Sequence, residues 1–175
     1  MRTLTTFLLC LLLAVPLCAQ KNKRDPLTPV EQDQIAEAGI SPVDRLNLYV
    51  KFINQHADTI QGLIKRAHSA ARVHRMDDEL QDFTALMDEL GSNLDVYSER
   101  KADIRKALKP LNEATERWLG VLRALADEPG FELTRKEALE SGEDLTAQTK
   151  RLLAEQTEYF KLHKDEQGQQ RAEPK

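Results

Sequence analysis

From Leu46 onward apolar side chains recur with a seven-residue period: Leu46, Ile53, Ile60 and Ala67 form one row, and Val50, Ala57, Ile64 and Ala71 follow four residues after each. Tyr49, Phe52 and Leu63 widen the row into a broad stripe, which at helical spacing lies along one side of a rod. The pattern predicts a helix from about residue 42 to Arg75. Lys65, Arg66, Arg72 and Arg75 then crowd its last turns, and Asp77, Asp78 and Glu79 open the next helix, each cluster complementing a helix dipole across a tight hairpin.

The following segment carries the strongest pattern in the chain. Leu80, Phe83, Met87, Leu90, Leu94, Tyr97, Ile104, Leu108, Leu111, Trp118, Leu122 and Leu125 fall on alternating three and four spacing, and of fourteen seam positions only Lys101 and Thr115 are not apolar. The phase runs past Pro110, which removes an internal hydrogen bond and predicts a kink or a break. An unbroken helix from 78 to 127 would span ~75 Å at 1.5 Å per residue, too long for one compact domain of this size. A split near Lys109 is therefore expected, leaving a first piece matched in length to residues 42 to 75.

Start and stop signals complete the outline. Thr28-Pro29-Val30-Glu31 reads as a capping box with proline in the first turn, and Gly39 as a left-handed stop, giving a short helix over 29 to 38. Ser41-Pro42-Val43-Asp44 opens the next helix in the same manner. Asp127-Glu128-Pro129-Gly130 is a turn, and Thr134-Arg135-Lys136-Glu137 is a capping box for a last helix carrying Ala138, Leu139, Leu145, Leu152, Leu153, Tyr159, Phe160 and Leu162, with Ser141-Gly142 a candidate interruption. The expected fold is all-α: an antiparallel bundle of three to four long amphipathic helices with a short N-terminal helix. Lone amphipathic helices cannot bury their stripes, so only mutual packing, within one chain or between two, yields a stable fold. The polar stretch 166–175 is expected to be disordered.

Residues 1 to 19 change this picture by placing it. Arg2, an apolar run from Phe7 to Val15, Pro16 and Leu17-Cys18-Ala19 before polar Gln20 have the layout of a secretory signal peptide cleaved after Ala19. The apolar run is shorter than the ~20 residues that cross a bilayer, and Cys18 follows Leu17 rather than the small residue that precedes a lipidated cysteine. The expected organisation is a signal peptide over 1–19, a polar linker over 20–27, a bundle over 28–165 and a tail over 166–175. The expected location is outside the cytoplasm, periplasmic or extracellular. Both cysteines, Cys10 and Cys18, leave with the signal peptide, so the core must hold without disulfides. Losing Arg2 moves the formal net charge from −4 to −5, which offers no basic surface for nucleic acid. No second apolar stretch reaches spanning length, so no stable membrane insertion is expected after cleavage.

Candidate chemistry is sparse. On the single helix predicted for residues 42 to 75, His68 and His74 would face opposite sides and His56 and His74 would lie ~27 Å apart, with His56 and His74 on or near the buried stripe. A ligand or metal carrier would use His56, His74 or His163 in the bundle interior. No Glu-x-x-His pair, Cys-x-x-Cys-His haem site, Gly-x-Ser-x-Gly elbow or glycine-rich phosphate loop occurs, and the serines suit caps and exposed positions. Glu113 and Arg117 are spaced for a surface ion pair, and the cluster Lys65, Arg66, His68, Arg72 and Arg75 reads as a solvated face. Leu27-Thr28 is followed by Gln32, one residue too late for the Leu-Thr-x-x-Gln motif of small helical periplasmic chaperones. The expected function is that of an exported, non-catalytic binding or scaffold protein of the cell envelope, acting through a protein partner or self-association, with no catalytic residue, metal or cofactor; the alternative is a ligand or metal carrier using interior histidines.

Overall fold

The structure, a computed structural model, describes residues 25–169. The expected signal peptide, the first part of the linker and residues 170–175 lie outside the described residues. Five α-helices follow one another: α1 (Pro29–Glu37), α2 (Pro42–Ile64), α3 (Ala70–Glu99), α4 (Arg105–Arg123) and α5 (Glu132–Leu162), with 3₁₀ turns at Ala38–Ile40 and Lys164–Glu166. No strand occurs among the described residues, which are all-helical as expected.

The stripes meet in one core. α2 packs on α3 and α4, and α5 packs on the same two helices. Every apolar seam position from Leu80 to Leu125 is buried, with the Phe83 and Trp118 rings edge to face at 6.2 Å near its middle. Each large side chain taken out of water there contributes about 1.5 to 3 kcal/mol. Leu27 and Ile35 of the N-terminal arm join the same cluster.

Four boundaries differ from expectation, each for a local reason. α2 ends at Ile64 rather than near Arg75: Ser69, in an extended conformation, caps α3 by accepting the Arg72 N–H at 3.2 Å, and Ala67 and Ala71 are exposed. Arg72 and Arg75 consequently sit at the start of α3, the wrong end of a dipole for positive charge. Glu128 from the α4–α5 turn pairs with Arg72, and Glu79 pairs with Arg75, which offsets the mismatch.

The second break falls at residues 100–104, not at Lys109. Lys101 N–H bonds Ser98 C=O at 2.9 Å and Ala102 N–H bonds Tyr97 C=O at 3.0 Å, the double closure of a Schellman stop, with Lys101 in the left-handed position at φ 54°. That place normally belongs to glycine, because a side chain there costs roughly 1–2 kcal/mol, and so the sequence carried no stop signal. Pro110 lies inside α4 without ending it. Pro110 and Lys106 are both exposed, so the carbonyl that proline leaves without a donor is on the wet side.

At the third, α5 begins at Glu132 with Phe131 in the cap position, so Thr134 is not a cap; its hydroxyl bonds Asp77 on α3. Gly142 does not interrupt α5. A Cβ there would meet Leu119 Cδ2 at 3.1 Å, so the glycine lets α4 and α5 approach closely. Gly39 likewise is no left-handed stop: it lies in the 3₁₀ turn, which Ser41 N–H closes on Ala38 C=O at 2.9 Å. The turn at Pro129-Gly130 does need its glycine, with φ 107° and Val73 Cγ1 only 2.5 Å from where a Cβ would stand.

The fourth difference is the C-terminal stretch. Residues 166–169, expected to be loose, fold back: Gly168 N–H bonds the Asp103 carboxylate at 2.9 Å and Asp103 N–H bonds Gln169 C=O at 3.1 Å.

Candidate binding cleft

Residues Asp25 to Glu31 lead into and open α1, and their shape is set locally. Thr28 and Glu31 form the expected capping box, Asp25 accepts the Leu27 N–H at 2.9 Å, and Gln32 donates to the other Asp25 oxygen at 2.8 Å. This arm lies beside α2 and α3, with the Leu27 side chain buried. Between the arm and the two helices is a cleft of about 540 Å³, whose floor is Gln55, His56 and Thr59 of α2 and Arg75, Glu79 and Asp82 of α3.

His56 precedes Ala57 on the edge of the α2 stripe that meets α3. Its Nδ1 lies 2.8 Å from Glu79 Oε2, while Arg75 donates to Glu79 Oε1 at 2.5 Å. Glu79 is only 3% exposed, and a buried carboxylate is tolerable because both oxygens are engaged. Asp82, equally secluded, lies one turn further along α3. The cleft thus presents one imidazole, one guanidinium and four carboxylates, counting Asp25 and Glu31 of the arm. Its two hydroxyls both donate locally, Thr59 to Gln55 C=O and Thr28 to the Glu31 carboxylate.

The three histidines of the carrier hypothesis are not brought together. His56 and His74 lie on different helices, α2 and α3, where the sequence pattern put both on one. His74 is exposed, 3.7 Å from Asp78, not on the buried stripe. His163 stacks on Tyr159 with ring centroids 4.1 Å apart and bonds Tyr159 C=O through Nδ1. Thr134 marks the α5 level beside the start of α3, and His163 lies 29 residues beyond it, ~44 Å along a helix axis. His68 contacts Glu128 at 2.9 Å. Among the described residues, no group of three or more His, Cys, Asp or Glu side chains is placed to hold a metal ion. No helix of the described residues is long and apolar enough to cross a membrane.

Three buried or bridging polar groups escaped the sequence reading, although a signal for them exists. Glu79 follows Met76 by three and precedes Phe83 by four, so a carboxylate stands on an apolar face. Gln156, between Leu152 and Phe160, has the same signature in α5. It donates to Ala102 C=O at 3.0 Å and accepts Ile104 N–H at 3.1 Å, bracing the α3–α4 corner from inside. Asn54 accepts both Trp118 Nε1–H at 2.8 Å and the Arg117 guanidinium at 2.6 Å, so Arg117 ties α4 to α2 instead of pairing along the surface with Glu113. Burial and the Glu89 carboxylate 2.5 Å away push the Tyr49 hydroxyl up to about 12.

Comparison of the chain with protein-family models, curated proteins and solved structures found no match in any of the three.

Proposed function

We propose that the mature chain is an exported, non-catalytic binding or scaffold protein of the cell envelope, built as an antiparallel bundle of four long helices with a short N-terminal helix. The topology is supported by the order of cross-helix bonds. Tyr49–Glu89 and His56–Glu79 run in opposite senses along α2 and α3, Arg123–Glu143 and Glu116–Lys150 do the same along α4 and α5, and Thr134, Ser141 and Gln148 of α5 follow Asp77, Asp88 and Gly91 of α3 in one sense. Consecutive long helices therefore alternate in direction.

The observation that carries the binding role is the cleft beneath the N-terminal arm. The apolar stripes are spent on the core, and this recess gathers charged and hydrogen-bonding groups from three separate elements. A photo-crosslinking residue at Gln55, introduced into the full chain in its own cells, tests it. Recovery of one stoichiometric protein marks an adaptor, and recovery of many unrelated unfolded chains marks a chaperone. An empty crosslink, or fractionation with cytosolic proteins, would refute the proposal. The carrier alternative rests on His56 alone, as the one histidine lining the cleft; it requires a small ligand in native mass spectra of the isolated protein that His56→Gln removes.

A further inference from the structure

At the α3–α4 corner the tail is gripped through its backbone. Asp103 sits in the break between the helices with its side chain nearly buried, accepting two bonds from the Arg105 guanidinium, both at 2.8 Å, one from Arg105 N–H at 3.4 Å and one from Gly168 N–H at 2.9 Å. Its own N–H points to Gln169 C=O at 3.1 Å. One residue thus offers an acceptor and a donor to the N–H and C=O of a passing chain, and neither contact reads a side chain. Around it, Gln156 fixes the flanking backbone of Ala102 and Ile104, and Arg105 lies 4.6 Å from the Phe160 ring centroid. The notch is rigid because it is tied to the core.

The segment that fills it is not tied in the same way. After α5 the chain turns at His163, Tyr159 donates its hydroxyl to Glu166 at 3.0 Å, and Gln167 donates to Phe160 C=O at 2.7 Å. Residues Lys164 to Gln169 bury no side chain, and Gly168 adopts φ 76° in open space. A segment that buries no side chain of its own belongs to the low-stability end of a protein and opens without global unfolding.

We propose that residues 163–169 form a detachable strap over a backbone-reading notch at Asp103, and that a turn in a partner chain, with glycine or asparagine at the Gly168 place, takes the strap's position. Asparagine is admitted because it tolerates the left-handed conformation and nothing lies near a Cβ there. The tether gives the strap an effective concentration of order mM, so only a partner held close or making added contacts displaces it. The contact is therefore autoinhibitory, and it is independent of the cleft beneath the N-terminal arm.

The test uses a fluorescent peptide of residues 163–175 and the full chain. Gly168→Pro removes the N–H that Asp103 receives and forbids the left-handed conformation, while leaving α2 to α5 untouched. The peptide should bind this variant at least tenfold more tightly than the unaltered protein, and Gly168→Pro combined with Asp103→Ala should lose that binding. Equal affinity for the variant and the unaltered protein, or no binding to either, overturns the proposal. Hydrogen exchange of the unaltered chain gives a second reading: Gly168 N–H should exchange more slowly than in the free peptide and faster than Leu108 N–H. Exchange as slow as that of Leu108 would show a strap that does not detach, and exchange as fast as in the free peptide a strap that does not bind.

Discussion

The two connections flanking α3 solve the same problem in opposite ways. Between α2 and α3 the chain runs exposed from Lys65 to Ser69, and the start of α3 is secured by charge: Arg72 and His68 converge on Glu128, and Ser69 supplies a side-chain cap. Between α3 and α4 the chain passes through the interior. Ala102 and Ile104 are fully buried, and the carbonyl of one and N–H of the other are satisfied by the Gln156 amide. The first turn is a surface device that can loosen without disturbing the core; the second is part of the core, and its geometry, left-handed Lys101 included, is imposed by packing. This explains why the notch at Asp103 is rigid while its strap is not.

The largest effect should come from breaking the interior brace. Gln156→Ala leaves a buried carbonyl and a buried N–H without partners, each costing roughly 1–3 kcal/mol, so urea unfolding should show a loss of about 2–6 kcal/mol. Next comes another interior tie. Asn54→Ala strips the acceptor from the Trp118 indole, with an expected loss of about 1–3 kcal/mol and a shift in tryptophan fluorescence, clean to read because the chain holds one tryptophan. Ser69→Ala, at the surface turn, should cost only about 1 kcal/mol, and its effect should appear as faster exchange of the first-turn amides of α3. If Ser69→Ala proved as damaging as Gln156→Ala, the contrast between the two connections would be lost.

The smallest effect concerns pH. The Arg105 guanidinium foremost, helped by the Gly168 N–H, holds the Asp103 carboxyl below its ordinary range against the cost of burial. A lowered folded pKa contributes stability that is complete above the ordinary carboxylate value near ~4 and is lost as pH falls through the lowered one. The protection of Gly168 N–H relative to the free peptide at the same pH should therefore fall on acidification below about pH 4, whereas in Asp103→Asn that fall should vanish.

Much of the fold was legible because burial is periodic. The apolar seam positions from Leu80 to Leu125 and Leu46, Tyr49, Phe52, Ile53, Ala57, Ile60 and Leu63 of α2 are buried as the spacing requires, and the Thr28 and Ser41 caps form as their side chains dictate. What failed was punctuation. Pro110 suggests a kink or a break, but its exposed setting makes it harmless, and the true stop at Lys101 carries no glycine because the Gln156 brace and the Schellman closure override local preference. Arg72 and Arg75 suggest a helix C-terminus but stand at the start of α3, where Arg72 is compensated by Glu128, distant in sequence, and Arg75 by Glu79. For the site, His56 was legible as a histidine at a buried edge, but its partner Glu79 and the arm that makes a cleft of the surface arise only from tertiary placement.

Hydrogen exchange of the full chain, read at Ile104 N–H and Arg72 N–H together, tests most directly whether the α3–α4 corner belongs to the core. Ile104 N–H should exchange only through global unfolding, in step with Leu108 and Leu111, while Arg72 N–H, held by Ser69 at the surface turn, should exchange far faster through local opening. An Ile104 amide that exchanges as readily as that of Arg72 would contradict the account.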